Sequence, residues 1–175
     1  LRAGRRALGT GAVTRDAQRA KVYAAEEFVR NLFDRTAEHG DPVVDFFGTQ
    51  LTLPPEARFA SVRAVQRYVD EVLSQPAVRG RWPVAAPLRV RSRKGATAAH
   101  YEREGNDATI AVPEGRAVWA LRELVVLHEI AHHLAESDPP HGPVFVATFC
   151  QLAAMVMGPE VAYVLRVVYA KEGVR

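Results

Sequence analysis

Between Arg15 and Glu38, apolar residues fall at Val22, Ala25, Val29, Leu32 and Phe33. That spacing returns to one face of a helix every three or four residues, and Gly40 and Pro42 mark its end. "VVDFFGTQLTLP" then reads as an extended segment between turn signals. Ser61 is placed to cap a second helix whose buried stripe is Val62, Val65, Tyr68, Val69, Val72 and Leu73. A proline-containing connection, "SQPAVRGRWPVAAP", leads to a strand around Arg89. "ATAAHYEREGNDATIAVP" predicts a β-hairpin turning at Gly105-Asn106, with a second strand over about Ala108 to Val112.

A long apolar helix follows, with Trp119, Leu121, Leu124, Val125, Ile130 and Leu134 as its bulk. Two more helices are expected over about Val144 to Met157 and Glu160 to Lys171, separated by Gly158-Pro159. The order is helix, strand, helix, a run of strands, then helices. It predicts an α+β domain with a small, mainly antiparallel sheet.

Composition narrows the class. At 175 residues, 48% hydrophobic and 25% charged, the chain has the size and balance of one globular domain. We expect that domain over residues 15–175, preceded by a basic tail over residues 1–14 that carries Arg2, Arg5 and Arg6. No apolar run approaches the roughly 18 residues that span a bilayer. The basic start lacks the continuous apolar core of a secretory signal. A single cysteine, Cys150, allows no internal disulfide and no cysteine-based zinc site. Its apolar helical setting favours packing over reactivity, and together these features suggest a reducing cytoplasm.

A net charge of +3 is mild for a dedicated nucleic-acid binder. Even so, Arg89, Arg91 and Arg93 alternate and would share one face of a strand. They form either a solvated sheet face or a strip for weak association with nucleic acid.

The candidate chemistry lies in "HEIAHHLAESDPPHGPVF", which holds four of the six histidines. His128 and His132, four apart, project from one helix face and can reach one tetrahedral zinc. Glu129 lies about 100° around the axis, where it can lean toward a metal-bound water without being a ligand. This is what a metal-assisted hydrolase needs: two neutral nitrogen ligands and a base. Two histidines and a glutamate on a buried helix would otherwise be costly.

For a third ligand there are several candidates. His133 is adjacent to His132 and faces elsewhere. Glu136 lies about 12 Å along the axis from His128, too far to converge on one straight helix. Asp138 falls at the helix end. His141 is favoured, because Pro139 and Pro140 end the helix and Gly142 permits a tight path back toward His128 and His132. Glu136 and Asp138 remain as alternatives.

The same stretch resembles the SprT-like zinc metallopeptidases, in which a His-Glu-x-x-His helix is followed by His-Gly-x-x-Phe/Trp; Phe145 fills the aromatic position. The whole chain, notably "RDAQRAKVYAAE", is also similar to an actinobacterial metallohydrolase family without an assigned substrate. The resemblance implies a zincin-like fold, with an edge strand bordering a cleft above the metal helix. Ala108 to Val112 is the strand expected there, and an extended substrate would pair with it. A single cysteine leaves no material for the Cys-rich zinc ribbon of family members that act on DNA-linked substrates.

The expected function is therefore zinc-dependent hydrolysis of a peptide or protein, with one Zn2+ held by His128, His132 and His141 and Glu129 as general base. His100, Tyr101 and Tyr163 are candidate donors to the developing oxyanion. The alternatives are hydrolysis of a non-peptide amide or ester, and a zinc-stabilised binding module with a closed site and no turnover.

Overall fold

The computed structural model describes residues 15–83, 86–95, 97–113, 121–135 and 137–175. The basic tail over residues 1–14, Trp119 and Glu136 lie outside the described residues. Helix α1 (Arg19–His39) buries Val22, Ala25, Val29, Leu32 and Phe33, as their spacing predicts. Gly40 closes it in the left-handed conformation at φ 66°, donating its N–H to the Thr36 carbonyl at 3.0 Å.

The extended segment resolves into a hairpin of β1 (Val43–Phe46) and β2 (Thr49–Thr52). It turns at Phe47 and Gly48, both at positive φ, which matches the right-handed twist of the flanking strands. Helix α2 (Val62–Ser74) begins at Ser61, whose hydroxyl accepts the Ala64 N–H at 3.2 Å. Val65, Val69 and Val72 form its buried stripe, with Val62, Tyr68 and Leu73 at the margins. The proline-containing connection holds a short helix, α3 (Pro76–Arg81), that the pattern did not reveal. Six residues are too few for a periodicity to register, although Pro76 sits at the first helical position, where proline fits best.

Strands β3 (Leu88–Arg93), β4 (His100–Glu104) and β5 (Asp107–Pro113) form a three-stranded sheet in the order β3-β5-β4. β4 and β5 are the expected hairpin, antiparallel from Glu104↔Asp107 to His100↔Ala111. β3 runs parallel to β5, from Leu88↔Ala108 to Arg93↔Pro113. Two of the three ladders are antiparallel. One expectation is overturned: β5, which contains Ala108 to Val112, is the central strand, and β4 is the edge beside the histidine helix. β3 joins β5 on the side away from β4, and among the described residues β4 has no strand partner on its outer side.

Helix α4 (Glu123–Ala135) is buried at every position from Glu123 to Ala131. It packs against β4 and against α5 (Pro143–Val156); α5 packs on α6 (Pro159–Lys171), and α6 on α1. A helix covered on all sides reads as uniformly apolar rather than striped. Cys150 is buried in α5, and burial pushes its thiol up to about 11, in keeping with a packing role.

The start of α4 is fixed by buried charge. Arg122 hydrogen-bonds the Glu56 carboxylate, Asp34 and the Arg30 carbonyl. Glu56 also accepts the Leu124 N–H at 3.1 Å, which satisfies a donor of the first turn. Among the described residues the fold is α+β, with six helices and two small sheets. No helix there is long and apolar enough to cross a membrane.

Candidate metal centre

His128 and His132 sit on adjacent turns of α4, and the chain returns to them through residues 137–142. Asp138-Pro139 is a cis peptide in this return, and Gly142 donates its N–H to the Pro139 carbonyl at 2.9 Å. Gly142 has an ordinary φ of −74°. What the position requires is space, because a Cβ there would lie 3.1 Å from the Pro139 carbonyl oxygen and 3.3 Å from its ring. This tight turn brings His141 to the two helix histidines.

The Nε2 atoms of His132 and His128 are 3.1 Å apart, and those of His141 and His128 are 3.4 Å apart. A tetrahedral ion with metal–nitrogen bonds of about 2.0–2.1 Å spaces its ligands about 3.3–3.4 Å apart. The Nδ1 of His128 donates to the Glu26 carboxylate, 2.9 Å from each oxygen. The Nδ1 of His141 donates to Asp16 at 2.7 Å. With those protons on Nδ1, both Nε2 atoms present bare lone pairs to a common point. Nitrogens this close need a shared proton or a cation between them, and three imidazoles converging without a carboxylate among them fit a metal ion. Among the described residues, His128, His132 and His141 are the group that can hold one.

Beneath them lies Phe145, stacked on His132 at a centroid distance of 4.4 Å and edge-on to His128 and His141 at 4.8 and 5.0 Å. One ring from the first turn of α5 thus braces all three imidazoles. Burial, with the neighbouring histidines, pushes His132 down to about 2. Burial also lowers His141 despite Asp16. Burial opposes charge on His128 as well, but attraction and hydrogen bonding to Glu26 overcome it and raise this histidine.

Glu129 is 4% exposed yet lines a cavity of about 290 Å3 together with His132, His141, Tyr101 and His100. Burial pushes its carboxyl up, against the pull of His128 and a hydrogen bond from the Tyr101 backbone N–H. A carboxyl moved toward neutrality in a cleft is suited to receive and return a proton.

The remaining candidates separate. His133 faces away from the cluster, as its position on the helix predicts: its Nε2 donates to the Ala86 carbonyl at 3.2 Å. Its Nδ1 is then the acceptor, and takes the Tyr101 hydroxyl proton at 3.2 Å. Tyr101 therefore stacks along His132 but directs its hydroxyl proton to His133. Tyr163 is on α6 against Phe46 and does not line the cavity. Of the three proposed oxyanion donors, Tyr101 and His100 line the cavity, and the Tyr101 hydroxyl is the one turned to His133. Asp138 is exposed and outside the converging group.

Several site residues were not legible beforehand. Glu26 and Asp16 orient two of the histidines, Tyr169 donates its hydroxyl to Glu26 at 2.7 Å, and Tyr23 stacks on His128. A signal existed for Glu26, since it interrupts the apolar stripe between Val22, Ala25 and Val29. Asp16 and Tyr23 carry no such mark.

The arginine strip is partly neutralised. Arg91 and Arg93 both reach Glu102 of β4, at 2.6 and 3.5 Å, which lowers the glutamate below its usual range. Compared with protein-family models, curated proteins and solved structures, the chain matches none of them.

Proposed function

We propose that this chain is a zinc-dependent hydrolase of the zincin kind, similar to the SprT-like metallopeptidases, that cleaves peptide bonds. The observation that carries the reading is the convergence of ligand nitrogens from His128, His132 and His141 within 4.8 Å of one another, with the buried carboxyl of Glu129 lining the cavity beside them. Three imidazoles and no thiolate suit zinc among the available divalent ions. Bound there, zinc would supply an acidified water and polarise the scissile carbonyl.

The chain's own residues do the rest. Glu129 accepts the proton of the attacking water and passes it to the leaving amine. Glu26 and Asp16 hold His128 and His141 in the tautomer that leaves Nε2 bare. His100, which lines the cavity, would meet the developing negative charge. The open edge of β4 can take an extended peptide by main-chain pairing, which favours a peptide over a small amide or ester. A structural site would call for a fourth protein ligand, and the converging set among the described residues has three members. A single buried cysteine goes with a reducing, cytoplasmic setting.

The test is elemental analysis of untagged protein beside His141→Ala and Glu129→Gln, with an unfolded protein as substrate. We expect one zinc per chain, lost from His141→Ala, and cleavage that Glu129→Gln abolishes while keeping its zinc. Protein that takes up no zinc when supplied with it would end the reading.

A further inference from the structure

A second cavity, about 660 Å3 in volume, opens directly beside the first and shares Arg19, Tyr23 and His100 with it. It lies between the first turn of α1 and the connection from β3 to β4, and its other charged side chains are Arg93 and Lys94. Arg19 holds its guanidinium 5.6 Å from the centre of the Tyr23 ring, and Lys94 is exposed. Neither has a carboxylate partner among the described residues. Among the described residues, Asp16 meets His141 through Oδ2, Glu102 pairs with Arg91 and Arg93, and Glu129 is buried in the first cavity, where it accepts the Tyr101 N–H.

From this we infer that the groove is a binding site for an acidic flank of the substrate, so that the hydrolase selects peptides carrying aspartate or glutamate beside the cleaved segment. The inference rests on the proposed function for the position of the scissile bond. A chain laid along β4 passes Tyr101 and His100 and then runs out of strand at Ala99, where the groove begins. Uncompensated cations at that exit attract carboxylates and repel basic side chains, which is selection by charge rather than shape. The groove favours a peptide over nucleic acid because its cations cluster at one end of a main-chain binding edge. The longer arginine row on β3 is partly tied to Glu102 and offers no continuous track for phosphates.

The test uses the full chain supplied with zinc and carrying Glu129→Gln, so that no probe is cleaved. Fluorescence anisotropy gives Kd for labelled peptides that share an apolar centre and carry glutamate-, serine- or lysine-rich flanks on either side. The glutamate peptide should bind about tenfold more tightly than the lysine peptide, with the difference shrinking as salt rises. Arg19→Glu and Lys94→Glu should each reduce or reverse the preference; Lys94 is exposed, so its replacement leaves the fold intact. Equal affinities, no binding, or tighter binding of a single-stranded oligonucleotide would overturn the inference. Acid-selective binding with no cleavage by the unmutated chain would sink the hydrolase reading and leave the groove standing. Cleavage indifferent to flanking charge would do the reverse.

Discussion

The two carboxylate oxygens of Glu26 lie at the same distance, 2.9 Å, from Nδ1 of His128, although 102 positions separate the residues. Glu26 is 5% exposed and His128 2%, so this is a charge-assisted contact between α1 and α4 inside the core. It fixes the tautomer and the ring orientation of the central histidine. Tyr169 on α6 donates to the same carboxylate, which ties three helices to one metal-binding imidazole.

Replacing Glu26 with Gln keeps an acceptor but removes the charge that favours a proton on Nδ1. Zinc affinity should fall by about 10–100-fold, the range seen when partners of metal-binding histidines are lost. Competition with a chelating dye measures it, and an unchanged circular dichroism spectrum separates the effect from unfolding. Unaltered affinity would mean that the contact only packs the core.

Acid should release the metal through His128. His132 and His141 are shifted down and stay unprotonated near neutrality, whereas His128 is shifted up. A raised value means that a proton competes for this imidazole at a higher pH than for an ordinary histidine. Affinity should therefore rise with pH through that value and level off once His128 is neutral. Dissociation constants for zinc across about pH 5 to 8 give the curve; a flat profile would contradict the assignment.

Tyr101→Phe should weaken the fold more than the reaction. The Tyr101 hydroxyl donates to the fully buried His133, and losing that hydrogen bond costs about 0.5–1.5 kcal/mol. Thermal unfolding should move down by several degrees, about 4 °C or less per kcal/mol at this chain length. The rate of peptide hydrolysis should change less than about tenfold, in contrast to Glu129→Gln. A large rate loss with unchanged stability would make Tyr101 a catalytic donor after all.

Arg122→Ala should be severe although it is remote from the chemistry. Its side chain and that of Glu56 are each 3% exposed, and removing one partner leaves a buried charge. A loss of about 3–5 kcal/mol is expected in urea unfolding. Because Glu56 also holds the first turn of α4, zinc binding should weaken at temperatures where the fold survives. A loss below about 1 kcal/mol would show the pair to be solvated in practice.

The sequence by itself determined whatever depends on near neighbours. Helical spacing fixed α1 and α2; Gly158-Pro159 divided the last two helices; Gly105-Asn106 fixed the β4–β5 turn; and His128, Glu129 and His132 fell on one helix through a spacing of four. His141 was within reach because the prolines and Gly142 constrain a connection of only a few residues. Tertiary structure alone decided which strand lies at the edge: β3 pairs with β5 rather than β4, and no local pattern encodes that choice. It also decided that Glu26 and Asp16, more than 100 positions away, orient two of the histidines. A carboxylate on an apolar stripe announces only that it needs a partner. Which imidazole supplies the proton is settled when α1 packs beside α4, because only the folded chain brings the two within hydrogen-bonding distance.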